Sequence, residues 1–187
     1  MIYEAMSCLA EELNLHFRNK MKSQEDVVIV SGILNQDGSI AIPAENKVVI
    51  TLVNTTRDMQ AKNYVSSGPV TTRKPTPVYL QLHLLISAYF SATNYSEALR
   101  FLSFVIAFIQ EKNVFTHANT PRMDGAIDKL VFEMETFDTD KLNSLWATLG
   151  SKYMPSAFYR VRMITFDSSI VKEYRPVVSE VSDASLT

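Results

Sequence analysis

The sequence predicts an α+β domain, a mixed and mostly antiparallel sheet packed with α-helices. Three observations carry that prediction. First, Val78, Leu80, Leu82, Leu84, Ile86, Ala88 and Phe90 alternate with Tyr79, Gln81, His83, Ser87 and Tyr89, the two-residue period of a half-buried strand. Second, the period then switches to that of a very apolar helix reaching about Glu111, opened by Asn94-Tyr95-Ser96-Glu97, a variant of the capping box. Third, the remaining elements interleave as helix, strand, strand, loop before this block and strand, helix, strand after it, an order that suits helices laid on a sheet.

The elements can be justified in chain order. Ile2, Ala5, Met6, Leu9, Ala10, Leu13 and Phe17 recur at three- and four-residue spacing, which predicts an amphipathic helix over 2–20. Val27 to Ser31 is a short β-branched run, and Asn35-Gln36-Asp37-Gly38 reads as a turn. Lys47 to Thr55 is a strand with Val48, Ile50 and Leu52 on one face and Val49, Thr51 and Val53 on the other. Two apolar faces argue for a central place in the sheet.

Residues 57–76 hold Gly68-Pro69 and Arg73-Lys74-Pro75 and read as an extended loop, with some strand character near 63–65. Loops of this length inside compact domains are often functional. Residues 113–125 read as a connection ending in Asp124-Gly125, and Leu130 to Phe137 alternates again. Asp138 or Thr139 is placed to cap a helix over Asp140 to Leu149, which Gly150 stops. Phe158 to Asp167 is the last strand, with Arg160 and Arg162 on the same side as Phe158 and Ile164. A single domain is expected over 1–171. The polar tail 172–187 is expected to be loose or to bind a partner, and its Val177 to Val181 alternation would suit a sheet edge.

Composition limits the function classes. A formal charge of −2 predicts no broad attraction to nucleic acid or membrane surfaces. The lone Cys8 falls in the first helix, where a small buried thiol is expected, and one cysteine makes no intrachain disulfide. Glu4, Glu11 and Glu12 interrupt any apolar leader, and the longest strongly apolar run, Phe101 to Ile109, is too short to span a bilayer. Cytoplasmic synthesis is the expected localisation.

Chemistry is weakly signalled. His16, His83 and His117 lie far apart without metal-ligand companions, so no metal is expected, and His83 is expected to sit at the surface or in a hydrogen bond. No Gly-rich phosphate loop and no GxSxG elbow occurs, so no cofactor is expected either. Glu133 and Glu135 share a strand face, with Asp138 and Asp140 following, a set that a divalent-metal nuclease would use. Arg160 and Arg162 reaching them across strands would account for both glutamates. A small-ligand pocket beneath the Phe101–Ile109 helix lacks convergent polar groups. Binding is left, although the same apolar elements would also close a monomeric core.

Four segments occur in a familiar order: MIYEAMSCLAEELN, KVVITLVNTTRD, PVYLQLHLLISAYFSATNYSEALRFLSFVIAFIQEKNVF and LVFEMETFDTDKLNSLWATLGSKYMPSAFYRVRMI. Together, over roughly residues 1–170, the chain resembles the cap, or tail-terminator, proteins of extracellular contractile injection systems of the antifeeding-prophage and virulence-cassette type. The likeness is strongest at Asn94-Tyr95 with Ala98-Leu99, at the Ile50–Asn54 strand, and at Leu142 to Met154 with Pro155. The resemblance implies a phage tail-terminator-like single domain that is not an enzyme. It implies a homohexameric ring on the inner tube, opposite the baseplate, that stops tube and sheath polymerisation and anchors the last sheath ring. Its partners would be itself and the inner-tube and sheath proteins, and its final place an assembled, released particle. An adaptor or baseplate component of the same kind of particle is the alternative, and the nuclease is the alternative from another class. Partner contacts are expected from Arg57, Arg73, Lys74, Arg160, Arg162, Tyr174 and Arg175.

Overall fold

Helix α1 (Ile2–Met21) turns Ala5, Met6, Leu9, Leu13 and Phe17 inward, as the spacing predicts. Glu4 in its first turn and Arg18 and Lys20 in its last suit the helix dipole. Cys8 is on the inner side, and burial, helped by the Glu12 and Glu11 charges, pushes its thiol up to about 11. The computed structural model describes residues 1–21, 25–58 and 79–165. Arg73, Lys74, Tyr174 and Arg175, with the expected 57–76 loop beyond Asp58 and the expected 172–187 tail, lie outside the described residues.

After α1 come β1 (Val28–Val30), β2 (Lys47–Arg57), β3 (Tyr79–Tyr89), α2 (Tyr95–Glu111), β4 (Val114–Thr116), β5 (Ile127–Glu135), α3 (Thr139–Leu149) and β6 (Ser156–Thr165). The strands form one sheet in the order β1-β2-β3-β6-β5-β4. Only β1 runs parallel to its neighbour β2; the other pairings are antiparallel. The mixed, mostly antiparallel α+β class is therefore the observed one.

Helices α1 and α2 cover one face of the sheet. Leu82, Leu84 and Ile86 of β3 join Val48, Ile50, Val161 and Met163 beneath Leu9, Leu13, Phe17, Val105, Phe108 and Ile109. Side chains buried this completely contribute about 1.5–3 kcal/mol each. The opposite face carries a smaller core, in which Leu85 and Phe158 pack with Leu145 and Trp146 of α3 and with Ile33. A bulge in β2 links the two faces. Leu52 pairs with Leu84 but Asn54 with His83, so Val53 is the extra residue. The alternation inverts there: Asn54 and Thr56 join His83 and Gln81 on the α3 side, although Val48, Ile50 and Leu52 face α1 and α2.

Three sequence expectations change. The capping box at Asn94 does not form: its side chain makes no cap hydrogen bond and instead donates to Asn46 Oδ1 at 3.2 Å, and Glu97 pairs with Arg100. A short 3-10 turn over Ala92–Asn94 leads into α2 in its place. The expected connection over 113–125 contains strand β4, and β5 starts at Ile127 because a register irregularity between Ile127 and Lys129 hides its first residues from the alternation. At α3 the reading stands. Asp138 accepts a hydrogen bond from the Lys141 N–H at 2.9 Å, and Gly150 closes the helix in the left-handed region with φ 68°.

One polar residue fixes α1 to the sheet. Asn14 is buried, and its Oδ1 accepts from the Val27 and Val28 N–H groups at 2.9 and 2.8 Å. Its Nδ2 donates to the Val28 carbonyl at 2.8 Å. Removing it strands backbone groups away from water. Asn14→Ala is expected to lower the unfolding free energy by ~3 kcal/mol in urea titrations; a loss well under ~1 kcal/mol would show that α1 is held by apolar contact alone.

Candidate assembly surface

Beyond the reach of α3, the second sheet face is polar. The cross-strand register brings His83 of β3, Arg160 of β6 and Glu133 of β5 into one row, with Arg162 and Gln81 in the next. Arg160 Nη2 donates to Glu133 Oε2 at 2.9 Å, and Arg162 donates to the other oxygen of the same carboxylate. Arg160 Nη1 lies 3.5 Å from Glu135 Oε1, and His83 Nδ1 lies 3.2 Å from Glu135 Oε2. The other His83 nitrogen, Nε2, sits 3.2 Å from Thr56 Oγ1 on β2. A continuous polar ladder thus crosses β2, β3, β6 and β5.

Burial opposes the charge on Glu133, but hydrogen bonds from Arg162 and Arg160, reinforced by their positive charges, outweigh it and hold the carboxyl below its usual range. Both oxygens of Glu133 accept from guanidinium groups, and those of Glu135 face Arg160 and His83, so each glutamate is already matched by positive or hydrogen-bonding partners. Among the described residues no group of three or more metal-ligating side chains is assembled. Beside the ladder, an open groove of about 690 Å³ runs under α3, lined by His83, Glu135, Phe137, Lys141, Leu145 and Phe158 among others. The Phe137 and Phe158 rings form its apolar wall, 4.2 Å apart.

The expected contact residues fare differently. Arg160 and Arg162 are half-buried and bound to their own chain's glutamates, so they knit the sheet together. Arg57 is exposed at the end of β2, opposite Leu80, and makes no ion pair among the described residues. Tyr79 pairs with Ile164, so β2 ends, β3 begins and β6 ends at one end of the sheet. The chain leaves the described region toward Arg73, Lys74, Tyr174 and Arg175 from that same end. Sequence reasoning missed Met134 and Tyr153, 57% and 61% exposed, because neither breaks the pattern of the element that carries it.

The family model of the Pvc16 N-terminal domain matches residues 5–180. A solved structure described as the PVC sheath/tube terminator of an extracellular contractile injection system, in the extended state, is similar with a TM-score of 0.59 at 14% identity. That match covers 100% of this chain and 64% of the terminator. The anti-feeding prophage cap, a tube-terminating cap, aligns at 18% identity with a TM-score of 0.49, covering 89% of this chain and 58% of the cap. No curated protein matches significantly.

The ladder predicts a definite pH dependence. Glu133 has a depressed folded-state pKa, so its contribution is complete above the unfolded carboxylate value of ~4.3 and is lost as pH falls through the folded value. Glu133→Gln is expected to melt below the wild type at pH 7, with the gap closing toward pH 2. A gap of equal size at both pH values would mean that the ladder stabilises by packing and not by charge.

Proposed function

We propose that this chain, which belongs to the Pvc16 N-terminal domain family, caps the distal end of a contractile injection particle. The observation that carries the proposal is the family match, which runs over nearly the whole chain. The terminator-like fold is in keeping with it. The role needs no reaction, and the one carboxylate pair that invited an enzymatic reading is consumed in ion pairs with arginine.

In this reading the chain closes as a homohexamer on the inner tube, stops tube and sheath growth, and anchors the last sheath ring. A ring requires protomers that hold their shape under load. Four strands cross-tied by the Thr56–His83–Glu135–Arg160–Glu133–Arg162 ladder supply a stiff plate. One end of that plate is where the segments bearing Arg73, Lys74, Tyr174 and Arg175 attach. Together with Arg57 they form the proposed contact set for tube and sheath, whereas Arg160 and Arg162 act through the plate itself. Among the described residues no helix is long and apolar enough to cross a membrane.

Deleting the chain from a particle-producing strain is expected to give sheathed tubes of uncontrolled or abnormal length in negative-stain micrographs. Particles of normal length with a normal distal end would contradict the cap.

A further inference from the structure

We infer that copies of this chain join head to tail through two apolar corners on opposite faces of the sheet. One corner is formed by Met134 and the outer side of α2, the other by Ile40 and Tyr153. The inference rests on the ring reading above and names the surfaces that would close it.

The first corner follows from a helix whose middle carries no charge. From Phe101 to Gln110 α2 has none, yet only Ala98, Val105, Phe108 and Ile109 of the helix are buried. Leu99 is 43% exposed, and Leu102 and Ile106 are half-covered. A helix that faces water normally carries charge on its outer side. Beside it, Met134 opens on a cavity of about 370 Å³ that Ile106, Ile109, Phe132 and Tyr159 also line. Strand β4 pairs only with Lys129 to Val131 of β5. Among the described residues the outer backbone edge of β5 next to Met134 therefore has no strand partner, which is the usual entry point for another chain.

The second corner lies past β1 and on the other sheet face. Ile40, 53% exposed, bridges Leu34, whose Cδ1 lies against Gly150 at the end of α3. Tyr153 follows in the next loop, its ring 5.8 Å from that of Trp146. Two unlike apolar surfaces on opposite sides of a protomer are what a head-to-tail ring requires; a two-fold dimer would use one.

Charge favours a second copy as the occupant. Glu111, exposed at the carboxyl end of α2, adds to the negative pole of the helix dipole beside the first corner. Lys152, exposed next to Tyr153, puts a positive charge at the second. Neither forms an ion pair among the described residues, and their signs are complementary across a head-to-tail contact.

The test uses assembled particles carrying Met134→Cys together with Tyr153→Cys. Cys8 is buried, so the introduced thiols are the accessible ones. A flexible bismaleimide is expected to yield a denaturing-gel ladder of linked copies, with either single variant giving monomer. Monomer from the double variant would overturn the inference. A second variant, Met134→Arg, is expected to keep the wild-type melting temperature, because the side chain is exposed, and to lower occupancy of particle ends at least tenfold. Unchanged occupancy would reject the corner and leave the cap standing. Absence of the wild-type chain from particle ends would overturn the cap and the inference together.

Discussion

The structure depends on one strand burying both of its faces. Strand β3 lies between β2 and β6, and its Leu82, Leu84 and Ile86 carry the α1 and α2 side while Leu85 and Ser87 are buried on the other. A slip of one residue would exchange the two sets, placing His83 and Gln81 beneath α1 and α2. Burial of both faces therefore fixes the register of β2 and β6 against β3. The β2 bulge at Val53 meets the same demand, since it turns Asn54 and Thr56 to the polar side at the point where helix cover on that side ends.

That register also determines what the polar side can do. Where the cover over Val49, Thr51, Leu85, Ser87 and Phe158 ends, the rest of the face must either meet water or satisfy itself. It does the second. Arginines two residues apart on β6 meet glutamates two residues apart on β5, and His83 bridges back to β2. Each pair is half-exposed and worth little alone, but the groups share partners and so restrain one another. The outcome is a plate cross-tied on its polar side, which leaves its edges and one end for the proposed contacts.

Much of this was legible in the sequence where a period or a cap announces itself. The α1 stripe, the β3 alternation, the Asp138 and Gly150 ends of α3 and the Glu133–Arg160 pairing all rest on local spacing, and all are seen. Features decided by distant chain were not legible. The three residues of β4 are too few to show a period, and β1, which pairs in parallel with β2, is held from its other side by Asn14 of α1. Asn94 had a good cap sequence, but the 3-10 turn before it leaves its backbone at φ −107° and ψ 24°, away from the extended conformation a capping side chain needs. Asn14 reads as an ordinary polar residue in a helix, and only the arrival of β1 gives it three backbone partners. Of the candidate surface, the ladder was readable and the exposed Met134 and Tyr153 were not, since exposure is set by what fails to pack against them.

The family match and the architecture are in keeping with the proposed role, that of a ring protomer whose work is contact. The most direct test of the account is position within the particle. Gold labelling of an amino-terminal tag on this chain, viewed on intact particles, should mark one end only, the end opposite the baseplate. Label at the baseplate, or spread along the sheath, would contradict it.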